Sequence, residues 1–341
     1  MTTSQSDFQL NRPGALIAAL PAVLGFVPEK SLVLVTVDRG ELGCVMRVDL
    51  SPELLGSVEH LAEVAAAACP DAAIAVVVDA EGAACRLCND EYLALSKELS
   101  DHLAGHAIEL IDFHVVDTVG PHGRWHSAGG GWGTVDDPAA SPLAMAAVLD
   151  GRRLYARRED LQAVITIADA VASEALGEMI RGQDALGTDA KRDVRDAMAA
   201  GERVAAGERL SHALTVRLAR ALTDPQVRDV FYALAVGDAA AHAEALWAAL
   251  ARTLPEPWRV EALVLLAFSA YARGDGPLAG VSLEAALRCD AEHRMAGMLD
   301  TALQSGMRPE QIRELAATGY RLAKRLGITL PQPRDFGRRA G

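Results

Sequence analysis

The stretch VEALVLLAFSAYARGDGPLAGVSLEAALRCDAEH, Val260 to His293, decides the fold of the C-terminal half of this chain. Its apolar residues recur every three or four positions on both sides of Gly274-Asp275, which predicts two amphipathic helices joined by a tight turn. A helical hairpin of this kind cannot bury its apolar face alone. We therefore expect neighbouring helices to pack against it.

Small residues stand where the two helices of this window must touch, at Ala267, Ala279 and Ala286. Turn residues recur on either side of the window at roughly the 34-residue period of a two-helix repeat. On these features the window resembles a tetratricopeptide repeat, although the neighbouring windows match that pattern poorly. A compact bundle and a groove-bearing solenoid are both compatible with the sequence.

The N-terminal half alternates predicted strands with predicted helices, which indicates a mixed sheet covered by helices. Strands are predicted over 31–37, 44–50, 73–79 and 108–116, with helices over 13–24, 58–69 and 91–103. From about Asp160 onward the apolar spacing is helical and no strand is predicted. The fold class is thus an α/β N-terminal domain followed by an all-helical, tetratricopeptide-like C-terminal domain. We expect domains at 1–155 and 156–325 and a basic flexible tail at 326–341.

Composition limits the classes of partner. The chain of 341 residues carries 33 Lys and Arg against 46 Asp and Glu, a net charge of −13 that disfavours nucleic acid. Five cysteines, an odd number, fit reduced thiols better than a disulfide framework. No segment reaches the roughly 18 apolar residues of a membrane span, and no signal peptide is recognised. We expect a cytoplasmic protein that binds neither nucleic acid nor a membrane.

A glycine-rich loop at 117–140 interrupts the alternation of strands and helices, and a long loop of this kind often contacts ligands. Ligands of open α/β sheets also bind beyond the carboxyl ends of strands, where two aspartates stand. The candidate ligand-binding residues are therefore Asp79, Asp117, Arg124, Trp125 and His126. The alternative is a solvated loop in which Trp125 packs on the sheet.

The remaining sequence motifs predict no metal site, cofactor or catalytic residue. The pair His122-x3-His126 matches no zinc signature, so no metal site is predicted. Cys85-Arg-Leu-Cys88 is expected to follow a turn rather than to open a helix, and two half-buried thiols are favoured over a zinc or redox site. Phosphate-binding, dinucleotide-binding and hydrolase motifs are absent, so neither a cofactor nor a catalytic residue is predicted.

Four segments carry a family resemblance: RPGALIAALPAVLGFVPEKSLVLV at 12–35, ASPLAMAAVLDGRRLYARREDL at 140–161, VRDVFYALAVGD at 227–238 and AALARTLPEPW at 248–258. Together they are similar to an actinobacterial domain-of-unknown-function family, number 4192. The resemblance extends over nearly the whole chain. It implies an actinobacterial origin and a cytoplasmic protein, and it implies no activity.

The leading hypothesis is a non-catalytic protein-binding or scaffold module, in which the helical domain contacts another protein or a second copy of itself. It rests on the repeat-like helices and on the absence of catalytic motifs. The alternative is a small-ligand-binding or enzymatic α/β domain with a site near the 117–137 loop.

Overall fold

The computed structural model describes residues 11–52, 54–67, 69–149, 152–182 and 189–333. Residue contacts divide the chain into two compact units, one ending at Asp160 and one beginning at Leu161. The first contains a mixed sheet with helices and the second is built from helices, which confirms the predicted fold class. No helix among the described residues is long and apolar enough to cross a membrane.

The N-terminal unit begins with helix α1, which spans Pro13–Leu24 as predicted because Pro13 starts it and Gly25 ends it in the left-handed conformation. The elements that follow are β1 (Ser31–Asp38), β2 (Glu41–Asp49), α2 (Val58–Ala66), β3 (Ala72–Val78), α3 (Arg86–Gly105), β4 (Glu109–Val116), β5 (Arg124–Ser127), β6 (Trp132–Thr134) and α4 (Pro142–Leu149). The division between the two units falls within the short helix α5 (Arg158–Gln162).

The six strands form one sheet in the order β2-β1-β3-β4-β5-β6. Strands β3 and β4 are parallel and every other neighbouring pair is antiparallel. The central strands β1 and β3 are buried almost throughout, as their continuous apolar runs require. Because β3 and β4 run the same way, the residues that follow them, Asp79 and Asp117, lie at the same edge of the sheet.

One face of this sheet packs against α2 and α3. Leu34, Val77 and Val115 on the strands meet Leu61 of α2 and Leu99 of α3 in a single apolar cluster. Helix α3 begins at Arg86, five residues before the predicted start, and it follows Cys85 directly. The expectation that Cys85-x-x-Cys88 does not open a helix is therefore wrong. The sequence does not predict this helix start because the N-cap residue is a cysteine, rather than Ser, Thr, Asp or Asn.

The helical unit continues with α6 (Ala170–Gly182), α7 (Ala190–Ala205), α8 (His212–Thr223), α9 (Pro225–Leu234), α10 (Ala240–Thr253), α11 (Trp258–Arg273), α12 (Gly276–Cys289), α13 (Arg294–Gln304) and α14 (Pro309–Arg325). Residues 161–182 and 189–333 contain no strand. Of the predicted basic tail, residues 334–341 lie outside the described residues.

Helix α11 is the centre of this unit. Twelve of its 16 residues are buried, and it contacts α8, α9, α10, α12, α13 and α14. An almost uninterrupted apolar sequence makes this possible, because a helix that is apolar on all sides is stable only when it is covered on all sides. The helices around α11 therefore pack as a compact bundle.

The turn between α11 and α12 is fixed at two consecutive residues. Gly274 adopts the left-handed conformation (φ +86°) that ends α11. Asp275 then caps α12 by accepting a hydrogen bond from the backbone N–H of Leu278 at 3.1 Å. The hairpin predicted from Val260–His293 thus has the expected helices and the expected turn.

Candidate functional site

Asp79 is a buried carboxylate at the carboxyl end of β3. The Tyr92 hydroxyl donates to Asp79 Oδ2 at 2.6 Å, and the backbone N–H of Glu81 donates to Oδ1 at 3.1 Å. The Nζ atom of Lys30 lies 3.6 Å from Oδ1. A β-carbon at Gly82 would collide with the Tyr92 hydroxyl and with Asp79, so the loop packs this closely only with glycine there.

These contacts keep Asp79 charged. Burial by itself would raise the pKa of Asp79, but the hydrogen bonds from Tyr92 and from the backbone of Gly82 and Glu81, with the charge of Lys30, lower it below its usual value. Burial and the hydrogen bond to Asp79 raise the pKa of Tyr92. The pair therefore consists of a carboxylate and a protonated phenol at neutral pH.

Replacing Tyr92 by phenylalanine is expected to lower the free energy of unfolding by about 2 kcal/mol at neutral pH, because a charged acceptor loses its donor. The lowered pKa means that Asp79 contributes stability above its unfolded-state pKa of about 4 and that this contribution is lost as the pH falls through the folded-state pKa. The difference between wild type and Tyr92→Phe should consequently shrink below about pH 4. Urea titrations at several pH values measure it, and a difference independent of pH would contradict the assignment.

The turn that opens α3 is held by Asn89. Its Nδ2 donates to the carbonyl oxygens of Ala83 at 3.1 Å and Cys85 at 2.8 Å. Its Oδ1 lies 2.8 Å from Nε2 of His126 on β5. Since both N–H groups of Asn89 face carbonyl oxygens, its Oδ1 accepts the third hydrogen bond and Nε2 of His126 donates it.

A cavity of about 150 Å³ lies between α3 and the sheet. Asn89 and Tyr92 line it from the helix, and Phe113, Val115 and His126 line it from β4 and β5. Tyr92 thus connects the cavity to Asp79. Sequence reasoning missed Asn89 and Tyr92, which are three residues apart and hence on one face of α3. They follow Cys85 by four and seven residues, so a helix predicted to begin at Arg86 would have placed both on the same face.

The five candidate ligand-binding residues do not form one pocket. His126 lines the cavity, and Asp79 reaches it only through Tyr92. Asp117 and Arg124 close the β4–β5 hairpin: the Arg124 N–H donates to Asp117 Oδ1 at 2.7 Å, and the Asp117 N–H donates to the Arg124 carbonyl at 3.1 Å. Both therefore shape the loop.

Trp125 alternates with His126 along β5, so it lies on the other face of the sheet. Its ring packs edge-on against His114 of β4, with ring centroids 5.3 Å apart. Its Nε1 donates to the carbonyl of Thr134 on β6 at 3.2 Å. Trp125 is thereby held between two strands and away from the cavity.

The helical unit carries a second concave feature, a groove of about 380 Å³. Buried apolar residues form its floor, Ile165 before α6 with Val281 and Ala285 on α12. Exposed Thr166, Glu284 and Arg288 stand at its edge. We call this feature the α12 groove.

Arg259 fixes one wall of the α12 groove. Its Nη2 donates to the Ile165 carbonyl at 2.6 Å, and its Nε donates to the Ala251 carbonyl at 2.8 Å. The segment before α6 is thereby tied to α10 and α11. The groove is consequently part of a hydrogen-bonded framework.

Among the described residues, no three His, Cys, Asp or Glu side chains are grouped so that they could hold a metal ion. A family model with the description "Domain of unknown function (DUF4192)" matches residues 13–310. No curated protein and no solved structure is significantly similar to the chain.

Proposed function

This chain belongs to the DUF4192 family, and from that premise we propose that it is a non-catalytic binding or scaffold protein whose helical unit contacts another protein. The observation that carries the proposal is the α12 groove. An apolar floor surrounded by polar, exposed residues is the anatomy of a protein-binding patch. We further propose a cytoplasmic, actinobacterial protein.

The residues of α12 support this use of the groove. Val281, Ala285 and Arg288 follow one another at intervals of four and three, so they form a single stripe along the helix. The stripe lies in the hairpin that resembles a tetratricopeptide repeat. Its fitting occupant is a protein segment with an apolar anchor for the floor and polar groups beside it for Glu284 and Arg288.

Two substitutions in the α12 groove test the proposal. Ala285→Arg places a charged side chain on the floor, and Glu284→Arg reverses the charge at the exposed edge. We expect each to reduce partner recovery in affinity co-purification from an actinobacterial host by at least about tenfold, equivalent to about 1.4 kcal/mol. The full chain serves as bait, and light scattering of each variant shows whether the partner is a second copy.

The matched control is Ala317→Arg, which makes the same chemical change at an exposed position of α14. It should recover the partner as the wild type does. Circular dichroism shows whether Ala285→Arg is folded. If it is not, the test rests on Glu284→Arg, which changes an exposed residue. Equal recovery by the wild type and Glu284→Arg would overturn the proposal.

A second candidate function is the binding of a small ligand in the cavity between α3 and the sheet. The favouring observation is that His126 and Asn89 line the cavity as a hydrogen-bonded pair. The volume accommodates a ligand about the size of five water molecules. A compound that raises the melting temperature of the wild type but not of His126→Phe would support it, and equal shifts in both proteins would exclude this site.

A further inference from the structure

Cys85 and Cys88 occupy the first turn of a long helix. Cys85 is the N-cap residue of the 20-residue helix α3, and Cys88 is the third residue of that helix. Residues three apart on a helix have β-carbons about 5–6 Å apart, which is compatible with closure of a disulfide after a small adjustment. Both thiols are free and half-buried.

Cys85 places its sulfur at the N-terminus of α3. The backbone N–H groups of the first turn, including those of Leu87 and Cys88, have no acceptor within the helix, and negative charge is favoured there. The nearby backbone N–H of Cys88, followed by the Cys88 thiol and the backbone N–H of Leu87, lowers the pKa of Cys85, and the Cys85 sulfur in turn raises the pKa of Cys88.

Other thiols of the chain differ from Cys85. Burial raises the pKa of Cys44 on β2 and of Cys289 at the end of α12. Cys69 is exposed and belongs to no helix or strand. The chain thus supplies its own comparison between a thiol at a helix N-terminus and thiols elsewhere.

The residues around Cys85 and Cys88 fix the first turn of α3, and neighbouring residues of that helix are exposed to solvent. The carbonyl of Cys85 accepts from the backbone N–H of Asn89 at 3.0 Å and from its side chain at 2.8 Å, and Asn89 is held by His126. Cys88 packs against the apolar core of the unit. Leu87, between the two cysteines, is 74% exposed, and Leu93 on the same helix is 52% exposed.

We propose that Cys85 and Cys88 form a redox-active dithiol that exchanges with disulfides, with Cys85 as the attacking thiolate and Cys88 as the resolving thiol. The position of Cys85 at the N-cap of α3 and the packing of Cys88 against the apolar core assign these two roles. This activity is independent of the α12 groove.

The reaction balances with a disulfide as the oxidant. The Cys85 thiolate attacks one sulfur of R–S–S–R′, so the substrate S–S bond breaks, R′S⁻ leaves and a Cys85–S–S–R mixed disulfide forms. Cys88 then attacks the Cys85 sulfur, RS⁻ leaves, and the proton of Cys88 passes to one of the two departed thiolates. The two cysteines lose two electrons and become a disulfide, while the substrate is reduced to one thiol and one thiolate. Two thiols of a partner reverse the sequence.

The first test is the rate of alkylation of each cysteine by iodoacetamide at neutral pH, read by peptide mass spectrometry of the reduced full chain. Cys85 should react about tenfold faster than Cys69, because a lowered pKa enlarges the thiolate fraction. Equal rates at Cys85 and Cys69 would overturn the assignment of the nucleophile. Circular dichroism of each variant used below confirms that it is folded.

The second test follows the exchange itself under anaerobic conditions. With oxidised glutathione the wild type should form a Cys85–Cys88 disulfide, whereas Cys88→Ser should accumulate glutathione on Cys85. Cys69→Ser should behave as the wild type. A parallel reaction with the interchain disulfides of insulin distinguishes a protein disulfide from a small one, and reduction of either substrate supports the proposal. Failure to form the Cys85–Cys88 disulfide with both substrates would overturn it.

Discussion

Replacing Trp247 by alanine is expected to lower the free energy of unfolding of the helical unit by about 3–5 kcal/mol. Trp247 lies on α10, is completely buried and packs against Phe231 of α9, with ring centroids 5.1 Å apart. Its loss leaves a cavity that backbones fixed by several helices cannot close. Urea denaturation followed by the helical circular dichroism signal measures the change.

A milder substitution at the same position serves as its control. The indole N–H of Trp247 has no hydrogen-bond partner within the described part of the chain, and an unsatisfied buried donor costs about 1–3 kcal/mol. Phenylalanine removes that donor and keeps most of the apolar volume. We expect Trp247→Phe to remain within about 1 kcal/mol of the wild type. A loss as large as that of Trp247→Ala would show that the indole N–H has a partner.

Replacing Arg273 by alanine should destabilise the helical unit by about 3 kcal/mol, because it leaves two half-buried or buried carboxylates without their cation. Arg273, in the last turn of α11, donates to Glu244 of α10 at 3.0 and 2.8 Å. It also donates to Asp275, the N-cap of α12, at 3.0 Å. One guanidinium thus joins three helices at the hinge of the central hairpin.

The matched control is Arg203→Ala. Arg203 pairs with Glu208 at 2.8 Å, but both side chains are about half exposed to solvent. An exposed pair of this kind contributes at most about 1 kcal/mol. Equal losses of stability in Arg273→Ala and Arg203→Ala would show that the hinge does not depend on this network.

The elements that the sequence predicted well are those whose apolar pattern is long and local. The hairpin from Val260 to His293 is an example, because α11 is apolar on nearly every side and Gly274-Asp275 is an unambiguous turn. Helix α1 is another, with Pro13 at its start and Gly25 at its end. In both cases the residues that determine the structure are neighbours in the chain.

The parts of the candidate sites that escaped prediction depend on contacts between distant residues. His126 and Asn89 form a hydrogen bond although they are 37 positions apart in the chain, and no local sequence pattern predicts it. The α12 groove is likewise built from Ile165 and from residues that lie 94 or more positions later in the chain. The start of α3 was missed for a different reason, since a cysteine at the N-cap gives no ordinary capping signal.

Photo-cross-linking from the α12 groove tests most directly the claim that the helical unit binds a protein there. A photoreactive phenylalanine derivative replaces Glu284 at the edge of the groove, and in a second strain it replaces Glu314, an exposed residue of α14. In an actinobacterial host, position 284 should give one discrete adduct that is absent from position 314 and is lost when Ala285→Arg is added. Identical adducts from both positions, undiminished by Ala285→Arg, would contradict the account.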